Sequence, residues 1–213
     1  MAISCDALQV YEGLGVLTGA ASATDQAKLE HRLIGFVPVR QAFDVGQYMP
    51  LAHAEVDRAL AAGRTPIVIG GTGLYLRAAL AELSLVKAAP DSPDSELWSP
   101  QTRHPTRIFG LDMDRTQLYE RIGSRTEAIV AAGAEAEVRR AEELGPSRTA
   151  RKALGFDELL AGDIEAMKKR SRNYARRQLT WMRKIPDLDA IDRTRLSDGE
   201  VAHHMLMGLF PSI

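Results

Sequence analysis

Pro66-Ile67-Val68-Ile69-Gly70-Gly71-Thr72-Gly73-Leu74-Tyr75-Leu76 is the stretch from which the architecture reads. A short β-branched apolar run ends at a glycine turn and passes directly into Leu74-Tyr75-Leu76-Arg77-Ala78-Ala79-Leu80, which has helical spacing. Strand, glycine turn, helix is the junction of parallel α/β sheets, where ligands gather at the carboxyl ends of strands. Upstream, Leu51 to Ala62 reads as a helix with Pro50 at its start and Gly63 at its end. Downstream, Thr106 to Leu111 reads as another strand, and Thr116 to Leu144 as a long amphipathic pattern broken near Gly133. The segment between, Ala88 to Pro105, carries Pro90, Pro93, Pro100 and Pro105 and reads as a linker. Beyond it the chain reads as helical: Ala153–Leu160, Asp163–Lys184 with Asp163 as N-cap and Pro186 as stop, and a last helix near Ser197–Met207. The expected organisation is a partial α/β core over 1–87, a linker over 88–105, and a returning strand with C-terminal helices over 106–213.

Composition narrows the class. At 213 residues, with 45% hydrophobic and 26% charged side chains, the chain can bury a sizeable core and has the balance of a globular protein. Its single cysteine, Cys5, excludes an internal disulfide and fits a reducing compartment. No apolar run approaches the ~20 residues of a membrane span, and Met1-Ala2-Ile3-Ser4 does not read as a signal peptide. The expectation is a cytoplasmic protein. The histidines, His31, His53, His104, His203 and His204, show no metal-ligand spacing, so no metal site is expected from protein ligands alone.

The net charge of -1 conceals an uneven distribution. Lys168 to Lys184 holds eight basic residues and no acidic one. On a helix Arg172, Arg176 and Arg183 fall near one face, and Tyr174, Gln178, Trp181 and Ile185 line another. One face then seats on a core while the other turns cations toward phosphate. A solvated basic helix with aromatic packing accounts for the same pattern. The Gly70-Gly71-Thr72-Gly73 turn has its own two readings, an anion cradle at a helix N-terminus or a packing requirement. The third candidate is Ser4-Cys5-Asp6-Ala7-Leu8-Gln9-Val10-Tyr11 at the end of an N-terminal strand. Asp6 can accept a proton or bond an exocyclic amine, and the Gln9 amide can pair with an adenine edge. Alternatively, Asp6 caps a turn and Gln9 lies on the surface.

Taken in order, these blocks resemble the tRNA dimethylallyltransferase family. Asp6-Ala7-Leu8-Gln9-Val10-Tyr11 is similar to its Asp-Ser-x-Gln-Val-Tyr block. Pro66 to Leu76 is similar to its strand ending in Gly-Gly-Thr-Gly-Leu-Tyr-Leu. Arg172 to Arg183 is similar to its Arg-x-Tyr-Ala-Lys-Arg-Gln-x-Thr-Trp-x-Arg block, with Arg176 in the lysine place. Glu30-His31-Arg32-Leu33-Ile34, the helix with Arg121, Arg125 and Glu137-Val138, and Ala153-Leu154-Gly155-Phe156-Asp157-Glu158 follow the family more weakly.

The resemblance implies transfer of a dimethylallyl group from its pyrophosphate to N6 of an adenosine 3′ of the anticodon, taken out of its stack. It implies Asp6 as the base or hydrogen-bond partner of that amine, and tRNA contacts from Asp6, Ala7, Leu8, Gln9 and Thr72. Positive charge for pyrophosphate or RNA backbone would come from Arg172, Arg176 and Arg177. The implied partners are the tRNA anticodon stem-loop and dimethylallyl pyrophosphate, with Mg²⁺ as cofactor and no membrane, in a monomer. The implied fold is α/β, a P-loop NTPase-like parallel sheet flanked by helices with a helix-rich C-terminal half. That sheet is expected to be incomplete, its first strand and phosphate loop absent, because the Asp block starts close to Met1 and the sequence has no Gly-Lys dipeptide. Leu17-Thr18-Gly19-Ala20 stands where the family has Gly-Thr-Ala-Lys, and the linker stands where it has a helical insertion. An RNA-binding fragment without catalysis is therefore the alternative. A nucleoside or shikimate-type kinase relative explains the glycine turn but not the Arg172–Arg183 block.

Overall fold

Short parallel strands flanked by helices make up the chain, and the computed structural model describes residues 1–84 and 97–209. Residues 85–96 and 210–213 lie outside the described residues, including Pro90 and Pro93 of the linker. Strand β1 (Ala2–Ser4) is the middle of a three-stranded sheet between β2 (His31–Arg32) and β3 (Ile67–Ile69), all parallel. Burial on both faces explains its all-apolar start, since Ala2 and Ile3 are sealed. Strands β4 (Ile108–Asp112) and β5 (Leu188–Asp192) pair in parallel as a second sheet. The expected α/β class with parallel strands is therefore present. The expectation that everything beyond the linker strand is helical is corrected by β5, whose short Leu-Asp-Ala-Ile-Asp run carries little β signal of its own.

Helix α1 (Gly15–Thr18) and helix α2 (Ala23–Lys28) follow the first strand. The helix read from Leu51 begins earlier, as α3 (Val45–Ala61), because Asp44 and Gln47 form a reciprocal capping box. Pro50 lies inside it, where its missing N–H leaves the Gly46 carbonyl without that partner near the helix start. Helix α4 (Gly73–Leu80) follows β3 as the glycine turn implies. The long amphipathic stretch divides into α5 (Arg115–Ala131) and α6 (Ala134–Glu143) at Gly133, whose φ of 97° lies in the left-handed region open to glycine. A 3₁₀ turn (Ala150–Lys152) and α7 (Phe156–Leu160) replace the single helix read from Ala153. Then come α8 (Ile164–Met182), capped as expected by the Asp163 side chain on the Ala166 N–H, and α9 (Asp198–Leu209).

One apolar cluster joins the two sides of the linker, with Cys5, Val10, Tyr11 and Tyr48 packed in the same core as Val138, Phe156 and Met167. Two buried hydroxyls pin it. The Tyr48 hydroxyl donates to the Ser4 carbonyl at 3.0 Å, and the Tyr11 hydroxyl donates to Thr149 Oγ1 at 2.6 Å. Each such bond contributes about 1 kcal/mol net, and more is lost if one partner is left unpaired. Past residue 96 the linker is stitched to this core. Arg77, 1% exposed, donates to the Ser99 carbonyl at 2.7 Å, and Arg103 pairs with Asp57. Helix α8 packs on α4, α5 and α7, which brings its side chains to the carboxyl end of β3.

Candidate functional site

Three segments far apart in sequence meet at the Thr72 hydroxyl. Its oxygen accepts the Ala7 N–H at 3.3 Å and lies 3.5 Å from the Tyr174 hydroxyl. The Asp6 block, the glycine turn and α8 thus share one point.

The glycines of the turn answer to packing. A Cβ on Gly70 would lie 2.7 Å from Cys5 Sγ and 2.8 Å from the Cys5 carbonyl carbon. On Gly71 it would lie 2.0 Å from Gln178 Nε2, and on Gly73 2.1 Å from the Trp181 ring. Of the two readings of this turn, close approach is the one the geometry favours. Thr72 makes no side-chain cap to α4, so its hydroxyl is directed elsewhere.

Asp6 combines a capping and a reactive part. Its Oδ1 accepts the Leu8 N–H at 2.8 Å and the Gln9 N–H at 3.4 Å, the turn expected of Asp at a strand end. Among the described residues Oδ2 accepts no hydrogen bond. Burial pushes the Asp6 carboxyl above the ordinary carboxylate range, while the Leu8 and Gln9 amides and the Arg125 guanidinium pull the other way. A desolvated carboxylate with one open oxygen is a stronger proton acceptor than a solvated one. Cys5 beside it is a poor nucleophile, its thiol pushed up to about 12 by burial and by the Asp6 charge.

Gln9 does not present a free amide. Its Oε1 accepts the Ser4 hydroxyl at 2.9 Å and its Nε2 donates to the Gly19 carbonyl at 3.3 Å. Ala7 and Leu8 contribute backbone at the turn and pack partly against the core. The Gly19 loop is held from α6, where the Glu137 carboxylate accepts the Val16 N–H at 3.0 Å and the Leu17 N–H at 2.9 Å. Gly19 has φ 61° and the Arg125 guanidinium against it, where a Cβ would lie 2.1 Å from Nη2.

The basic block is helical, and its two faces separate as the spacing predicts. Tyr174 and Gln178 both donate to the Gly71 carbonyl, at 3.1 and 3.0 Å, and Trp181 packs on Gly73 and Trp98. The cations do not behave alike. Lys168 pairs with Glu127 and Glu165, and Arg170 with Glu158. Arg172 lies over the Tyr119 ring, Arg176 bonds Asn173, and Arg177 lies over Tyr174 at 5.5 Å. Among the described residues Arg172, Arg176, Arg177 and Arg183 have no carboxylate partner. Of the three arginines expected at the site, Arg177 is tied to the Thr72 junction through Tyr174, and Arg172 leans toward α5. Sequence reasoning did not single out Arg125, Tyr174 or Gln178 as site residues. Tyr174 and Gln178 carried a signal, the i, i+4 spacing of polar side chains on the buried face.

Among the described residues no three His, Cys, Asp or Glu side chains gather to hold a metal ion, and no helix is long and apolar enough to cross a membrane. Mg²⁺ commonly binds through one or two carboxylates plus substrate phosphates. Among the described residues no cluster of protein ligands fits such an ion without the substrate's phosphates.

Comparison with known proteins bears on this arrangement. The sequence model of the IPP transferase family matches residues 9–99 and 88–185. A tRNA dimethylallyltransferase of Rhodospirillum centenum is 32% identical over 249 aligned positions, covering 85% of this chain and 79% of that protein. One from Caulobacter sp. strain K31 is 32% identical over 259 positions, covering 89% and 84%. Both alignments are longer than this chain, so those proteins carry internal residues without a counterpart here. Among solved structures, a tRNA Δ(2)-isopentenylpyrophosphate transferase of Staphylococcus epidermidis superposes with a TM-score of 0.84 at 21% identity, over 100% of this chain and 91% of that one. The full-length tRNA isopentenylpyrophosphate transferase of Bacillus halodurans gives 0.82 at 24% identity, over 97% and 87%. At those identities the structural likeness speaks for the fold alone.

Proposed function

Because this chain belongs to the IPP transferase family, and its matched relatives are tRNA dimethylallyltransferases, we propose that it transfers a dimethylallyl group to N6 of the adenosine 3′ of the anticodon. The observation that carries the assignment of roles is the convergence on Thr72 of the Asp6 turn, the glycine turn and α8. In the reaction the N6 lone pair bonds to C1 of the dimethylallyl group. The C1–O bond breaks, pyrophosphate leaves with that electron pair, and the N6 proton passes to Asp6. Burial of Asp6 and its open Oδ2 support the acceptor role. Thr72 contacts the tRNA beside it, as do the Ala7 and Leu8 backbone. Gln9 serves by fixing the Ser4–Gly19 wall, and reaches the base only if it releases those bonds.

Arg172, Arg176 and Arg177 supply charge to the departing pyrophosphate or to the RNA backbone, and their lack of carboxylate partners among the described residues supports this. Dimethylallyl pyrophosphate and the anticodon stem-loop are the substrates, and Mg²⁺ would accompany the pyrophosphate. The finer fold reading, a P-loop-like sheet without its first strand and phosphate loop, belongs to the same proposal. It is supported by the edges of β3 and β4, unpaired among the described residues, with Ile67 49%, Ile69 52% and Leu111 43% exposed. The division at residues 88–105 and a cytoplasmic monomer complete the reading.

The test is incubation of the chain with dimethylallyl pyrophosphate, Mg²⁺ and an anticodon stem-loop RNA, read as mass gain on the adenosine. Transfer by wild type and its loss in Asp6→Ala is the expected result. Unchanged turnover in Asp6→Ala would remove the base role. RNA binding with no transfer would favour the alternative of a binding fragment, which the lack of a Gly-Lys loop among these 213 residues supports.

A further inference from the structure

The polar atoms around Thr72 can be given directions, and the directions assign a task to Tyr174. A phenol has one proton. The Tyr174 hydroxyl donates it to the Gly71 carbonyl at 3.1 Å, a carbonyl that also accepts the Gln178 amide at 3.0 Å. At its 3.5 Å contact with Thr72 the phenol oxygen is therefore the acceptor. Thr72 Oγ1 in turn accepts the Ala7 N–H at 3.3 Å, which leaves its own single proton for Tyr174. The chain of donors runs from the Ala7 amide to Thr72, from Thr72 to Tyr174, and from Tyr174 to the Gly71 carbonyl. Both bonds at Thr72 are long for their types, so its proton is the loosely held member of the chain. The bonds at the Gly71 carbonyl are firmer and fix the turn itself.

The geometry points to Tyr174 as a positioning residue that aims the Thr72 hydroxyl before the nucleotide arrives and yields the Thr72 proton to a hydrogen-bond acceptor on that nucleotide. Gln178 has the separate task of holding the turn, because it reaches Gly71 and not Thr72. The Arg177 guanidinium lies over the Tyr174 ring, 5.5 Å from its centre, so the helix that carries the cations without carboxylate partners among the described residues also sets the hydroxyl. Tyr174 touches no reacting atom in this scheme. It acts through Thr72, and that distinguishes it from a residue that only packs.

The inference rests on the reading of Thr72 as a nucleotide contact, and two measurements separate the two. The first is amide hydrogen exchange and the ¹H–¹⁵N resonance of Ala7 in the chain without RNA. Thr72→Val removes the acceptor and speeds Ala7 exchange roughly tenfold, Tyr174→Phe loosens Thr72 and speeds it roughly threefold, and Thr72→Ser restores it. The double variant Thr72→Val/Tyr174→Phe matches Thr72→Val alone. An Ala7 amide unmoved by Tyr174→Phe, or effects that simply add in the double variant, would overturn the relay. The second measurement is anisotropy of a labelled anticodon stem-loop. Tyr174→Phe weakens binding about threefold to tenfold when introduced into wild type and has no effect when introduced into the Thr72→Val variant. Wild type that binds no stem-loop would refute the nucleotide reading, while the Ala7 result still decides the relay.

Discussion

Substituting alanine for Gly70 isolates the contact on which the site is built. The added Cβ meets Cys5 Sγ at 2.7 Å, the Cys5 carbonyl carbon at 2.8 Å and the Asp6 nitrogen at 3.0 Å. Two of these are backbone atoms of a strand end whose neighbours are buried, so no side chain can swing aside. Overpacking of this kind costs about 3 kcal/mol, at the upper end of its usual range. For a chain of this size that is roughly 6–12 °C of melting temperature. Gly71→Ala is expected to cost less, about 1 kcal/mol, because its clash is with the mobile Gln178 amide and the loss is one hydrogen bond. Gly123→Ala has the opposite sign. It lies inside α5 with nothing within 4 Å of the new Cβ, and alanine there stabilises by about 0.5–1 kcal/mol. Urea unfolding of the three variants gives the order directly, with unchanged slopes confirming that only native stability moved. A Gly70→Ala loss smaller than that of Gly71→Ala would refute the claim that backbone proximity, and not an anion, demands this glycine.

Three further outcomes follow from the geometry. Burial makes the folded chain hold the Asp6 proton more tightly than the unfolded chain, so stability falls as pH rises from the ordinary carboxylate range near ~3.9 through the raised folded value. Asp6→Asn keeps the Oδ1 acceptor, so it should melt higher than wild type at neutral pH, with the gap closing below about pH 4; a gap that widens in acid would contradict this. Glu137→Ala should cost about 2–3 kcal/mol in urea unfolding and expose the Val16 and Leu17 amides to exchange, since the carboxylate accepts both. Stem-loop binding should lose salt dependence in Arg176→Ala or Arg183→Ala, by about 0.7–0.9 in the log–log slope per lost phosphate contact. Lys168→Ala should leave the slope alone, because that ammonium already faces Glu127 and Glu165.

The elements legible in sequence were those with a local cause. The run ending at Gly70, the break at Gly133 and the cap at Asp163 each depend on neighbours within a few residues. The start of α3 also has a local cause, the Asp44–Gln47 capping box, which the reading from Pro50 does not include. Strand β5 had no such cause: Leu188 to Asp192 becomes a strand because β4 lies alongside to pair it. Motif order carried the family reading, which the comparisons with known proteins bear out.

By itself the sequence determined that a basic block would be a two-faced helix and that a strand would feed a helix through a glycine turn. These follow from periodicity and from conformational freedom, which act over one or two turns of chain. Only the tertiary structure decided that Ala7 meets Thr72 across 65 residues and Thr72 meets Tyr174 across 102. It also decided which cations carboxylates neutralise, and how deeply Asp6 is buried. Those outcomes depend on which side chains packing brings within hydrogen-bonding range and on how much water it removes, and neither quantity is carried by any short stretch of sequence.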